Sequence, residues 1–192
     1  MNEIRAFIAV LLPDEVKQSL SALQDRLRSG SSVSAKWVDP GNIHLTLKFL
    51  GNISPGLVGR ITSAMETAAR EIKPLYIQVK GLGAFPNANR VNIVWVGLVG
   101  DIERLALLQK RIDAQLSPLG FKSENRPFTP HLTIARIRDH ASSEERRQLG
   151  RLIAETAFDT LLPVDIMSVY LMKSQLTREG PIYSSILSVN LR

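Results

Sequence analysis

The chain of 192 residues contains no cysteine. Disulfides, thiolate metal sites and a cysteine nucleophile are therefore excluded. It also lacks a long hydrophobic run. The apolar segment Ala6–Leu12 is preceded by Arg5 and stopped by Pro13. That is too short to span a membrane and lacks the plan of a signal peptide, so a cytoplasmic protein without membrane contact is the default expectation. No low-complexity tail or long linker is present, and aromatic residues make up only 6% of the chain. What remains is 44% apolar and 22% charged, the composition of a soluble globule. The length suits one domain, 1–192, or two small lobes sharing a core. Lys and Arg number 24 against 18 Asp and Glu, a net charge of +6. A basic balance favours polyanionic partners such as RNA, DNA or phosphate esters, although solubility alone accounts for it as well.

The chain repeats itself. His44-Leu45-Thr46-Leu47 returns 87 residues on as His131-Leu132-Thr133-Ile134. The same offset lays Arg5–Leu12 over Asn92–Val99, two apolar, β-branched runs that read as buried strands. It lays Asp14 over Asp101, each at a plausible N-cap. Helical stripes follow: Val16, Leu20, Leu23 and Leu27 in one half, Leu105, Leu108, Ile112 and Leu116 in the other. A second helix comes after each motif, roughly Pro55–Ile72 and Ser143–Ala157, the latter opened by a capping box of Ser142 and Glu145. Each half closes with a strand, Leu75–Val79 and Val164–Leu171, and Gly81–Arg90 reads as the loop between halves. Each half is thus β-α-β-α-β. The expected fold is α+β: two pseudo-symmetric lobes, approximately 1–90 and 91–192, with mainly antiparallel sheets facing a central cleft and helices outside.

Alternation along the motif strands sends the leucines (and Ile134) to one face and His44 with Thr46, or His131 with Thr133, to the other. Four polar groups then meet in one cleft if the strands lie near the pseudo-dyad. Imidazole titrates near neutral pH, so one histidine can be base while the other is acid. A threonine on each side can donate to a nonbridging phosphate oxygen and stabilise developing charge. The rival use of paired histidines is a metal site, which needs three or four ligands. Neither motif holds a carboxylate, and Asp39 reads as a turn residue before Pro40. No metal or cofactor is expected. His140, the third histidine, reads as a surface residue.

These residues resemble the two-histidine (2H) phosphoesterase superfamily. The flanks resemble its RNA 2′,3′-cyclic phosphodiesterase (2′-5′ RNA ligase) branch: Arg5–Pro13, Trp37–Gly51, Gly81–Pro86, Val94–Gly97, Arg126–Arg136, Ser174-Gln175-Leu176 and Gly180-Pro181-Ile182-Tyr183. The resemblance covers nearly the whole chain. It implies metal-free hydrolysis of an RNA terminal 2′,3′-cyclic phosphate to a 2′-phosphomonoester, with reversible 2′-5′ joining. It also implies His44 as proton donor and His131 as proton acceptor.

Arg136 is a candidate phosphate ligand in a forked geometry, with a plain surface arginine as the competing reading. Phe49 is a candidate for base stacking, although alternation sets it opposite Thr46 unless the strand bends, which favours core packing. Trp37 and Phe128 pack or wall the cleft. Pro130 fixes the entry to His131. Arg90, Lys48 and Arg126 are candidates for steering RNA. The expected partner is RNA with a 2′,3′-cyclic phosphate end, and the expected state is a monomer with no protein partner. A phosphodiesterase acting on small cyclic nucleotides and a non-catalytic RNA-binding module stay open as alternatives.

Overall fold

The computed structural model describes residues 3–124, 126–178 and 180–192. In chain order the elements are β1 (Ile4–Leu11), α1 (Asp14–Ser29), β2 (Ala35–Trp37), β3 (His44–Ile53), α2 (Val58–Ala69), β4 (Leu75–Phe85), β5 (Ile93–Gly100), α3 (Ile102–Leu116), β6 (Leu132–Ile137), α4 (Ser143–Glu155), β7 (Leu162–Ile166), β8 (Ser168–Leu176) and β9 (Pro181–Asn190). Short 3-10 turns at Pro40–Asn42, Pro55–Leu57 and Ser117–Leu119 complete it.

The helical stripes bury as their spacing requires: Val16, Leu20, Leu23 and Leu27 on α1, and Leu105, Leu108, Ile112 and Leu116 on α3. They join the helix-facing side chains of both sheets, such as Ile8, Val10, Leu45, Val94, Leu132 and Ile134, in one continuous core. Each buried leucine of this kind contributes about 1.5–3 kcal/mol. α4 opens with the expected capping box of Ser142 and Glu145. Other helix starts differ. Asp14 lies inside the first turn of α1, behind Pro13, and makes no cap bond. Asp101 sits at the N-cap of α3, but its carboxylate accepts from Tyr76 N–H at 2.9 Å and from Arg104 at 3.0 Å. It ties the helix start to β4 instead of capping it. The helix expected over Pro55–Ile72 is a 3-10 turn followed by α2 alone.

All strand pairs are antiparallel, in two sheets ordered β3-β1-β8-β9 and β2-β6-β5-β4-β7. The division of the sequence near residue 90 does not carry into the sheets. β2 and β4, from the first half, pair with β5, β6 and β7. β8 and β9, from the end of the chain, complete the sheet of β1 and β3. Two expectations fail for this reason. Gly81–Phe85 is strand, not connecting loop, because β4 continues past a bulge to pair with β5. The single strand expected over Val164–Leu171 is broken at Met167, and its two parts, β7 and β8, belong to different sheets. The pseudo-dyad is visible where β4 meets β7: Ile77 pairs with Val164, its own counterpart 87 residues on.

α1 packs against α4, and α2 against α3 and β9. These helices cover the faces opposite a smaller apolar cluster of Phe7, Ala9 and Met172 with Tyr170 and Tyr183. That cluster lines the inner face of the first sheet. Among the described residues, no helix is long and apolar enough to cross a membrane.

Candidate active site

His44 opens β3, and His131 lies immediately before β6. Two features bring these strands together. The segment leaving β2, which pairs with β6, runs on through the Pro40–Asn42 turn into β3. Val38 N–H donates to Ile134 O at 2.9 Å, and the buried Gln24 of α1 donates to both Val38 O and Ile134 O, at 2.7 and 2.9 Å. The approach to His44 is thereby fastened to the strand of His131. The symmetric fastening is made by Lys48. Its ammonium turns inward from β3 to pair with Asp113 of α3 and to donate to Lys122 O, in the segment that leads to His131. Lys48 is buried, so it is not an RNA-steering surface residue.

Both histidines are oriented alike. Nδ1 of His44 lies 2.7 Å from Asn42 O, and Nδ1 of His131 lies 2.7 Å from Thr129 O. A carbonyl only accepts, so Nδ1 carries the proton in each ring. Nε2 is left as the nitrogen that gains or loses a proton.

The rings are packed differently. His44 stacks on Phe7 at 4.7 Å and meets Tyr183 edge-on at 5.2 Å. His131 meets Phe85 edge-on at 5.0 Å and Trp95 at 6.5 Å. Trp95 in turn occupies the space where Gly83 has no side chain; a Cβ there would overlap the indole. Burial pushes the His44 pKa below the usual 6.5, and the bond to the Asn42 carbonyl opposes this more weakly.

Thr46 pairs with Ala9, and Thr133 with Trp95. Both are on the face that carries the histidines, as alternation predicts. The next step breaks alternation. Phe7 pairs with Phe49 and Ala9 with Thr46, so two residues, Leu47 and Lys48, oppose Ile8 alone. This bulge turns Phe49 onto the inner face, 6.4 Å from Phe7 and 70% exposed, instead of into the core. The second half has the same bulge at Ile134. Ile93 pairs with Arg136 and Trp95 with Thr133, which puts Arg136 on the face of Thr133. Phe49 and Arg136 are thus counterparts, one on each side. Burial raises the pKa of Tyr183, the phenol beside His44, and the positive charges of Arg136 and Arg5 oppose this more weakly.

Several other expected residues stand apart. Trp37 packs on the core beneath Arg28, whose guanidinium lies 5.3 Å from the ring, and Phe128 also packs on the core. Arg126 is exposed and paired with Glu124 at 3.2 Å, and Arg90 is exposed. Asp39 caps the Pro40–Asn42 turn by accepting from Gly41 N–H at 2.8 Å, and His140 lies at the surface, 2.9 Å from Ser34 Oγ. Among the described residues, no group of three or more His, Asp or Glu is gathered to hold a metal ion. Sequence reasoning missed the aromatic jackets: Phe7, Tyr183, Phe85 and Trp95. Phe7 and Trp95 lay within runs read as wholly buried, and only the alternation inside those runs marked them as facing away from the helices.

The family model for LigT-like phosphoesterases matches the chain twice, over residues 10–95 and 96–183. It thus repeats with the internal duplication. The chain is 34% identical over 184 residues to the RNA 2′,3′-cyclic phosphodiesterase of Methanothermobacter thermautotrophicus, covering 96% of this chain and 97% of the relative. It is 32% identical to the protein of the same name from Thermotoga maritima, covering 94% and 91%. Among solved structures, a protein of Thermus thermophilus superposes with a TM-score of 0.79 at 25% identity, over 98% of each chain. E. coli LigT complexed with 3′-AMP shares the fold, with a TM-score of 0.77 at 20% identity over 99% of each chain.

Proposed function

The chain belongs to the LigT-like phosphoesterase family, and from that membership and the two matched histidine motifs we propose that it hydrolyses an RNA terminal 2′,3′-cyclic phosphate to a 2′-phosphomonoester without a metal. The observation that carries this reading is the matched pair of Nδ1 bonds, to Asn42 O and Thr129 O, which leaves both Nε2 atoms for proton transfer. The names of the relatives, RNA 2′,3′-cyclic phosphodiesterases, support the substrate.

In this reading a water oxygen attacks phosphorus while its proton passes to Nε2 of His131. The bond from phosphorus to O3′ breaks, and Nε2 of His44 gives its proton to the departing oxygen. Thr46 and Thr133 donate to the nonbridging oxygens. Burial works against a protonated His44 in the free protein, but a phosphodiester anion beside the ring favours it. The polarity follows the surroundings. Phe49 stands exposed on the inner face of the His44 sheet, where a nucleoside is received, while the Nδ1 bond of His131, beside Phe85 and Trp95, lies at the surface, where water enters. Arg136 takes a backbone phosphate, and Phe49 stacks a base. An RNA 5′-hydroxyl in place of water yields a 2′–5′ link, and the reverse of that step restores the cyclic phosphate.

The test is incubation of the protein with RNA ending in a 2′,3′-cyclic phosphate and identification of the product. A 2′-phosphate is expected. His44→Ala and His131→Ala should each slow turnover by roughly 10²–10⁴-fold, and EDTA should have no effect. Full activity in either variant, or loss in EDTA rescued by added metal, overturns the reading.

A further inference from the structure

We propose that Tyr183 is a substrate-contacting residue, its phenol donating to a phosphate oxygen on the nucleoside side of His44 and so giving a near-symmetric site its direction. This rests on the phosphodiesterase reading and deepens it. His44 and His131, Thr46 and Thr133, Phe49 and Arg136, and the carbonyls of Asn42 and Thr129 are all related by the same shift of 87 residues. Such a set cannot by itself distinguish attacking water from leaving ribose.

The same shift sets Val96 against Tyr183, and Phe85, the ring that meets His131 edge-on as Tyr183 meets His44, carries no hydroxyl. Tyr183 stands on β9, which pairs with β8. The stretch of β4 that corresponds to β8, Leu82–Phe85, pairs only with β5 among the described residues. In the register Tyr183 faces Ser174 of β8. Its ring completes a triangle with Phe7, at 5.1 Å, and His44, at 5.2 Å. Three strands of one sheet thus meet at this ring. Burial raises the pKa of the phenol, against the weaker pull of Arg136 and Arg5. It therefore stays protonated, as a donor, wherever the histidines titrate. A phenol packed edge-on against an imidazole, within the electrostatic influence of Arg136 and Arg5, is placed for an anionic oxygen, to which its hydrogen bond is of the strong, charge-assisted kind.

Tyr183→Phe keeps the ring packed on His44 and Phe7 and removes only the hydroxyl. With RNA ending in a 2′,3′-cyclic phosphate, kcat/KM should fall about ten- to a hundredfold. Inhibition by the 2′-phosphorylated product should weaken in step, while the melting temperature and the pH limbs of the remaining activity stay in place. If kcat/KM and product inhibition remain within twofold of the native values while His44→Ala is inactive, the role of Tyr183 is refuted and the two-histidine reading stands. If His44→Ala itself keeps native turnover, both fall together.

Discussion

Lys48→Met removes the ammonium that fastens the His131 approach to the His44 strand. The native Lys48 side chain is 8% exposed and its partner Asp113 is 14% exposed. In the variant Asp113 keeps one weak donor, Glu124 N–H at 3.3 Å, and Lys122 O loses its partner. Stripping one member from a buried ion pair costs about 3–5 kcal/mol. The residual amide and slight exposure of Asp113 put the expected loss near the lower end, about 3 kcal/mol. For a chain of this size that lowers the melting temperature by roughly 6–12 °C. Adding Asp113→Leu removes the stranded carboxylate, so the double variant should recover most of the loss. Thermal unfolding followed by circular dichroism measures both. Turnover should also fall at temperatures where Lys48→Met is fully folded, because the segment before His131 is no longer held to β3. A melting point within about 2 °C of the native protein, or losses that simply add in the double variant, would refute this account of Lys48.

Further outcomes concern the site. Because burial holds the free His44 below 6.5, a donor role places the alkaline limb of kcat/KM below that pH. The limb of kcat should lie higher, since the bound anion favours the protonated ring. Coincident limbs above 6.5 would contradict this polarity. The same shift bears on stability: between the lowered folded value and 6.5 the unfolded chain binds more protons, so stability rises with pH across that window. His44→Gln should flatten that slope in denaturant titrations. Gly83→Ala forces the Trp95 indole off its seat beside Phe85 and His131, with an expected cost of about 1–3 kcal/mol. Reduced kcat and altered tryptophan emission would register it; unchanged kcat would separate Trp95 from the chemistry. Phe49→Ala should leave stability within about 0.5 kcal/mol because the ring is 70% exposed. It should raise KM for an oligonucleotide about tenfold, and an unchanged KM would remove Phe49 from the binding surface.

Local periodicity was legible without a structure. The leucine stripes of α1 and α3, the cap of α4, and the separation of His44, Thr46, His131 and Thr133 from their apolar neighbours all follow from side-chain periods of 3.6 and 2. The duplication was legible because both copies keep the order of their elements. Pairing was not. The paired bulges at Leu47–Lys48 and Ile134 reverse the phase of the residues directly after them, and in β3 a second shift between Phe49 and Gly51 follows. They bring Phe49 and Arg136 inward and turn Lys48 from an expected surface charge into a buried anchor. A bulge depends on which strand lies alongside, and that choice sums many weak contacts between residues far apart in the chain. The exchange of β2, β4, β8 and β9 between halves arises in the same way, and so do the aromatic rings that make the two histidines unlike. The proposed reacting groups could be named from the sequence because their chemistry is local to a tetrapeptide; their surroundings come from distant strands and exist only in the folded chain.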